Sequence, residues 1–229
     1  MSTIRKHKQR VKPTLIVYPE DNGEPMSENT LQFKWIVLIK EGLEHVFRDD
    51  PNVFIAGDLL WYPLKEDLVN CMAPDAMVIF GRPKGDRTSY VQCLEDDIPP
   101  RVVFEILSPS NRAGKMKIKR DFYERHGVEE YYEYDPADGT LEGWLRVGDR
   151  FQPIAEMDGF VSPRLGIRFE PGVGPNNLTI LDPDGEPFRT LDDHAQRSKD
   201  EKRRADAADQ RAEQLAARLR ALGIDPDHP

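Results

Sequence analysis

A glutamate stands inside the most strand-like run of this chain, Val102-Val103-Phe104-Glu105-Ile106-Leu107, and few features narrow the possible architectures as much. Alternation at period two sets Val103, Glu105 and Leu107 on one face, in a segment that otherwise reads as a strand buried on both sides. Burying a lone carboxylate costs several kcal/mol, so Glu105 requires a cation beside it.

The neighbouring segments supply the rest of a mixed α/β (α+β) layout. Residues 28 to 48 read as a helix whose face of Leu31, Trp35, Leu38, Ile39, Gly42 and Val46 packs on a sheet. Extended segments follow over residues 53–62, 76–80, 102–107 and 130–134, rich in β-branched, aromatic or large apolar residues. A second helix spans about residues 112–126 and ends at Gly127. After the turn signal Asp135-Pro136-Ala137-Asp138-Gly139, further antiparallel strands are expected over residues 141–147, 151–155 and 165–169. The expected division is an N-terminal arm over residues 1–27, a folded domain over 28–189 and a helical tail over 190–229. In that tail Ala205, Ala208, Ala212, Leu215, Leu219 and Leu222 recur at three and four, a coiled-coil seam. Both a solitary charged helix and one that pairs with a partner suit this pattern.

Composition removes several function classes. A net charge of −9 over 229 residues argues against a protein that coats DNA in bulk, so any nucleic-acid contact must be local. No apolar stretch approaches the ~20 residues of a membrane span, and the basic N-terminus leads into no apolar signal region; a cytoplasmic protein is expected. Two cysteines, Cys71 and Cys93, form neither a disulfide framework nor a metal knuckle. Five histidines show no metal-ligand spacing, and the chain has no phosphate-binding glycine loop or serine nucleophile elbow.

Asp75 follows Pro74 and opens the strand Ala76-Met77-Val78-Ile79-Phe80, so it and Glu105 are candidates to meet at one sheet edge. Paired carboxylates offer hard oxygen ligands for a divalent ion, with Mg²⁺ favoured where waters are retained and Mn²⁺ its natural substitute. Spacing alone equally allows Asp75 to cap a turn and Glu105 to meet an arginine. At roughly 100° per residue, Lys119 falls in the middle of the second helix's packing face, defined by Met116, Ile118, Phe122 and Tyr123, with Lys117, Arg120 and Glu124 pointing away. Either its stem packs while the ammonium escapes to water, or the ammonium meets the two acids and handles a water. Arg82, Lys84 and Arg87 in the turn after the Asp75 strand, with Asn111, Arg112 and Lys115 at the second helix's start, are candidate phosphate contacts. Trp61, Tyr62 and Tyr90 are read as core or as base-stacking platforms.

Taken in order, Pro74-Asp75, Phe104-Glu105-Ile106-Leu107-Ser108-Pro109-Ser110, Lys119, Tyr123, Gly127-Val128-Glu129-Glu130-Tyr131-Tyr132 and Asp135-Pro136 resemble the Uma-two family of the PD-(D/E)xK nuclease superfamily. The resemblance implies a restriction-endonuclease-like αβββαβ core, with the further strands and long helix appended. It implies a metal held by Asp75, Glu105 and the Ile106 carbonyl, and phosphodiester hydrolysis. Where the superfamily places a lysine two positions after the second acid, this chain has Leu107, so Lys119 must substitute from the helix. Some members of the superfamily add a further acid, for which Glu28, Glu41, Glu44 and Asp58 are candidates; Asp58 is preferred because it sits inside an apolar run, and a solvent-facing Asp58 at a strand edge suits the same pattern. The expectation is a Mg²⁺-dependent DNA endonuclease, dimeric through its C-terminal helix. The rival is a non-catalytic interaction protein that keeps the fold and engages a protein partner through its acidic surface and tail.

Overall fold

The computed structural model describes residues 17–20, 27, 29–108 and 113–221. Helix α1 (Thr30–Val46) begins at Asn29, whose side-chain oxygen accepts the Gln32 N–H at 2.8 Å and satisfies a donor that a helix start leaves open. Strands β1 (Val53–Ala56), β2 (Trp61–Tyr62), β3 (Ala76–Phe80), β4 (Tyr90–Val91) and β5 (Val102–Ile106) precede helix α2 (Ala113–Arg125). Strands β6 (Glu130–Asp135), β7 (Thr140–Val147), β8 (Arg150–Pro153), β9 (Arg168–Pro171) and β10 (Leu178–Leu181) then lead to helix α3 (Leu191–Ala221).

Six strands form one mixed sheet in the order β1-β3-β5-β6-β7-β8. Within this sheet β5 and β6 are the one parallel pair of neighbours among the described residues; their crossover is α2, because parallel neighbours cannot be joined by a tight turn. Helix α2 stops at Gly127, whose φ of +90° suits glycine, and Val128 N–H donates back to Tyr123 O at 3.2 Å. The succession α1, β1, β3, β5, α2, β6 is the expected αβββαβ core.

Period-two alternation divides β5 between two cores. Val102, Phe104 and Ile106 pack with Trp35, Ile36, Ile39 and Leu43 of α1, while Val103 packs with Phe122 and Tyr123 of α2. Glu105 therefore faces α2. On the other side, a Cβ at Gly42 of α1 would lie 2.1 Å from the Phe188 ring, so this close approach requires glycine.

Three expectations need correction. The strand expected over 53–62 ends at Ala56: Asp58 adopts φ +46°, and β2 leaves the sheet to pair in parallel with β4. The strand expected over 165–169 begins only at Arg168, and the short β4 and β10 were not foreseen. Ile118 is 63% exposed rather than part of the α2 packing face, since the buried stripe of Met116, Phe122 and Tyr123 centres near Lys119 and leaves Ile118 a quarter turn off it.

Candidate active site

Sheet register aligns acids that are far apart in sequence. The pairing Ala76↔Phe104 continues one step to set Asp75 opposite Glu105, and Glu105 in turn pairs with Glu133, which pairs with Glu142. Continuing β1 past Ala56 brings Asp58 opposite Asp75, with Asp58 N–H donating to Pro74 O at 3.0 Å. The result is a transverse row of carboxylates on the side of the sheet that α2 covers.

Glu105 has no exposed surface, and α2 satisfies both of its oxygens. Lys119 Nζ donates to Oε2 at 2.6 Å, and the buried Tyr123 hydroxyl donates to Oε1 at 2.5 Å. Residues 119 and 123 are one helical turn apart, so a single face of α2 delivers both donors. Asp75, 6% exposed, accepts the Ile106 N–H on Oδ2 at 2.6 Å. Burial, then the Glu105 charge, pushes its carboxyl up to about 8; Lys119 and the Ile106 N–H oppose the rise, and Asp58 adds to it. The Ile106 peptide is gripped from both sides, because its carbonyl accepts Gln32 Nε2 at 2.9 Å.

This donor set fits a hard divalent cation. The two neighbouring carboxylates lie beside the Lys119 ammonium, and burial, then the Glu105 charge, holds the Asp75 carboxyl above its ordinary value. The Ile106 carbonyl retains a second lone pair, and Asp75 Oδ1 accepts no hydrogen bond among the described residues. Among those residues no three His, Cys, Asp or Glu side chains gather into a metal cage.

The other sequence candidates are dispersed. Glu41 and Glu44 lie by Lys40, and Glu44 also by Lys84, along α1. Glu28, Asn111 and Arg112 lie outside the described residues. Of these candidates Asp58 is the one whose charge acts on Asp75, although it sits in a turn and not within a strand. The cationic turn directs its charge inward: Arg82 pairs with Glu95 and Asp96, Arg87 with Glu95 and the Phe54 ring, and Lys84 with Glu44 and the Phe47 carbonyl. Lys115 is exposed on the first turns of α2. Trp61, Tyr62 and Tyr90 are 0–1% exposed, which makes them core and removes the stacking role.

Five residues have roles that the sequence does not reveal. Gln32 was invisible because its target is a main-chain atom 74 positions away. The Tyr123 hydroxyl was hidden behind the ring's apolar role. Arg120 and Glu124 were expected to point away, yet Arg120 reaches Glu133 and Trp144, and Glu124 accepts the Phe151 N–H. Glu133 carried a readable signal, since it too is an acid within a strand-like run.

A family model described as "Putative restriction endonuclease" (Uma2) matches residues 15–170 of the chain. No curated protein matches it. Among solved structures it is similar to a crystal structure described as "a putative nuclease belonging to DUF820" from Anabaena variabilis. That likeness has 17% identity and a TM-score of 0.45, and covers 62% of this chain and 79% of the other.

Proposed function

The chain belongs to the Uma2 family, described as "Putative restriction endonuclease", and from that premise we propose that it is a Mg²⁺-dependent endonuclease that hydrolyses DNA phosphodiesters at the Asp75–Glu105–Lys119 cluster. The observation that carries this reading is the 2.6 Å contact of Lys119 Nζ with Glu105, the acid set opposite Asp75 by the β3–β5 register. Asp75, Glu105 and the Ile106 carbonyl would hold the ion. When bound, it polarises the scissile phosphate and makes its water a better nucleophile. Lys119 orients the attacking water and offsets charge that develops on the phosphate, and the burial of the carboxylates it serves strengthens both effects. Tyr123 fixes the Glu105 carboxylate by donating to its other oxygen. Gln32 and Asp75 hold the Ile106 peptide in place.

Supercoiled plasmid incubated with the pure protein and Mg²⁺ or Mn²⁺ should be nicked, and Glu105→Gln should abolish the nicking. Equal nicking by both proteins would assign the activity to a contaminant and leave the non-catalytic reading standing.

The same reading joins two copies through α3, giving the pair of centres that cutting both strands requires. Helix α3 runs 31 residues with its surface mostly exposed, and its seam at Ala205, Ala208, Ala212, Leu215 and Leu219 is spaced for a partner helix. Sedimentation should give about twice the 26.3 kDa chain mass, falling to the monomer when residues after 190 are removed. A monomeric full-length chain would refute the dimer.

No helix among the described residues is long and apolar enough to cross a membrane.

A further inference from the structure

Two acids on neighbouring strands face two consecutive cations of one helix. Glu105 and Glu133 are register partners on the parallel pair β5–β6. Their backbones therefore stand about 4.8 Å apart. Lys119 holds Glu105 at 2.6 Å, and Arg120 approaches Glu133 Oε1 to 3.7 Å through NH1. Glu133 is 7% exposed, and its Oε1 meets no hydrogen-bond donor among the described residues, so it is an acid short of compensation. A buried acid of that kind attracts any ammonium within reach.

Lysine and arginine differ in how firmly they are placed. The Arg120 guanidinium lies over the Trp144 ring, 4.3 Å from its centroid, and its side chain is 30% exposed. Stacking on β7 fixes a planar cation beside β6. Lys119 ends in a compact ammonium on a flexible four-carbon stem longer than the spacing of adjacent strands, so stem length alone does not choose between Glu105 and Glu133.

We propose that Arg120 is a positioning residue: by occupying Glu133 it keeps the Lys119 ammonium on Glu105. This rests on the active-site reading above and adds to it a selection between two carboxylates. Glu133 is then the competing acid, and Arg120 acts on the reaction only through Lys119.

The test is a four-protein cycle of wild type, Arg120→Gln, Glu133→Gln and the double variant, read by metal-free crystal structures and by single-turnover DNA cleavage. In Arg120→Gln the Lys119 ammonium should move from Glu105 to Glu133, and the rate should fall about tenfold at an unchanged half-saturating DNA concentration. Glu133→Gln should leave the Lys119–Glu105 contact in place. The double variant should restore that contact and bring the rate within about twofold of wild type, because the competitor is gone. Arg120→Lys keeps a cation beside Glu133 and should hold Lys119 on Glu105, which covers the case in which Arg120→Gln does not fold.

Lys119 remaining on Glu105 in Arg120→Gln, with Glu133 taking up a proton instead, would overturn the proposal. So would a double variant as slow as Arg120→Gln, or a rise in half-saturation marking Arg120 as a DNA contact. If no protein in the cycle cleaves DNA, the nuclease reading fails, while the crystal structures still decide which acid Lys119 chooses.

Discussion

Lys119→Met is expected to lower single-turnover DNA cleavage by about 10²–10⁴, the range for losing a positioned group that acts on the proton or the water. Methionine keeps most of the buried stem, so the substitution removes charge and little volume. Its effect should appear in the rate and not in DNA affinity, because the ammonium is held by the buried Glu105 and its side chain is only 15% exposed. A second signature follows from the burial of Glu105. Without Lys119 that carboxylate keeps the Tyr123 hydroxyl but loses its ammonium partner, and losing one member of a buried pair costs about 3–5 kcal/mol. A divalent ion at the two carboxylates would replace the missing positive charge. Added Mg²⁺ or Mn²⁺ should therefore restore thermal stability in Lys119→Met without restoring the rate. A variant whose cleavage survives within a few-fold of wild type would remove Lys119 from the chemistry and leave it as a structural counter-ion.

The contrast between stability and rate separates what sequence makes legible from what it does not. Glu105 and Lys119 were readable because each breaks a local pattern: an acid where strand alternation predicts an apolar residue, and a lysine at the centre of a helix's packing face. Their convergence follows from β5 and α2 being consecutive in the chain, which leaves the helix little choice but to cover the strand it has just left. Asp75 was readable as a residue, but its position opposite Glu105 depends on antiparallel register, and a slip of one residue would have sent it to the other face. The break at Asp58 was hidden because Ala56-Gly57-Asp58-Leu59-Leu60-Trp61-Tyr62 stays apolar through the turn. Its apolar residues pack in two different places, Ala56 against the main sheet and Leu60 and Tyr62 in a separate cluster. The ion pairs of Arg82 and Arg87 with Glu95 were hidden for the opposite reason: the cationic turn is legible as charge, but the acid it meets lies 8 to 13 residues further along the chain.

Asp75→Asn should stabilise the metal-free protein, and increasingly so as pH rises. The Asp75 carboxyl is pushed up to about 8 from an ordinary value of 3.8, by burial first and the Glu105 charge second. Between those two pH values the unfolded chain has lost the proton that the folded chain still holds, so wild-type stability falls through that window and is level outside it. Asparagine carries no such proton and still offers an oxygen to the Ile106 N–H, so the variant escapes the fall. Thermal melts in chelator should show no advantage for Asp75→Asn near pH 4 and one of more than about 2 kcal/mol by pH 8. Divalent ions reverse the comparison. Their binding needs the ionised carboxylate, so apparent metal affinity should climb with pH until Asp75 has titrated. Saturating Mg²⁺ at pH 8 should then raise the melting temperature of wild type but not of Asp75→Asn. An advantage that is the same at every pH would mean that Asp75 is not the group held protonated by the fold, and a metal response that survives the substitution would move the ion elsewhere. Both outcomes bear on one physical point: the fold buries the Asp75 carboxyl beside the Glu105 charge, and a cation bound there would offset both effects.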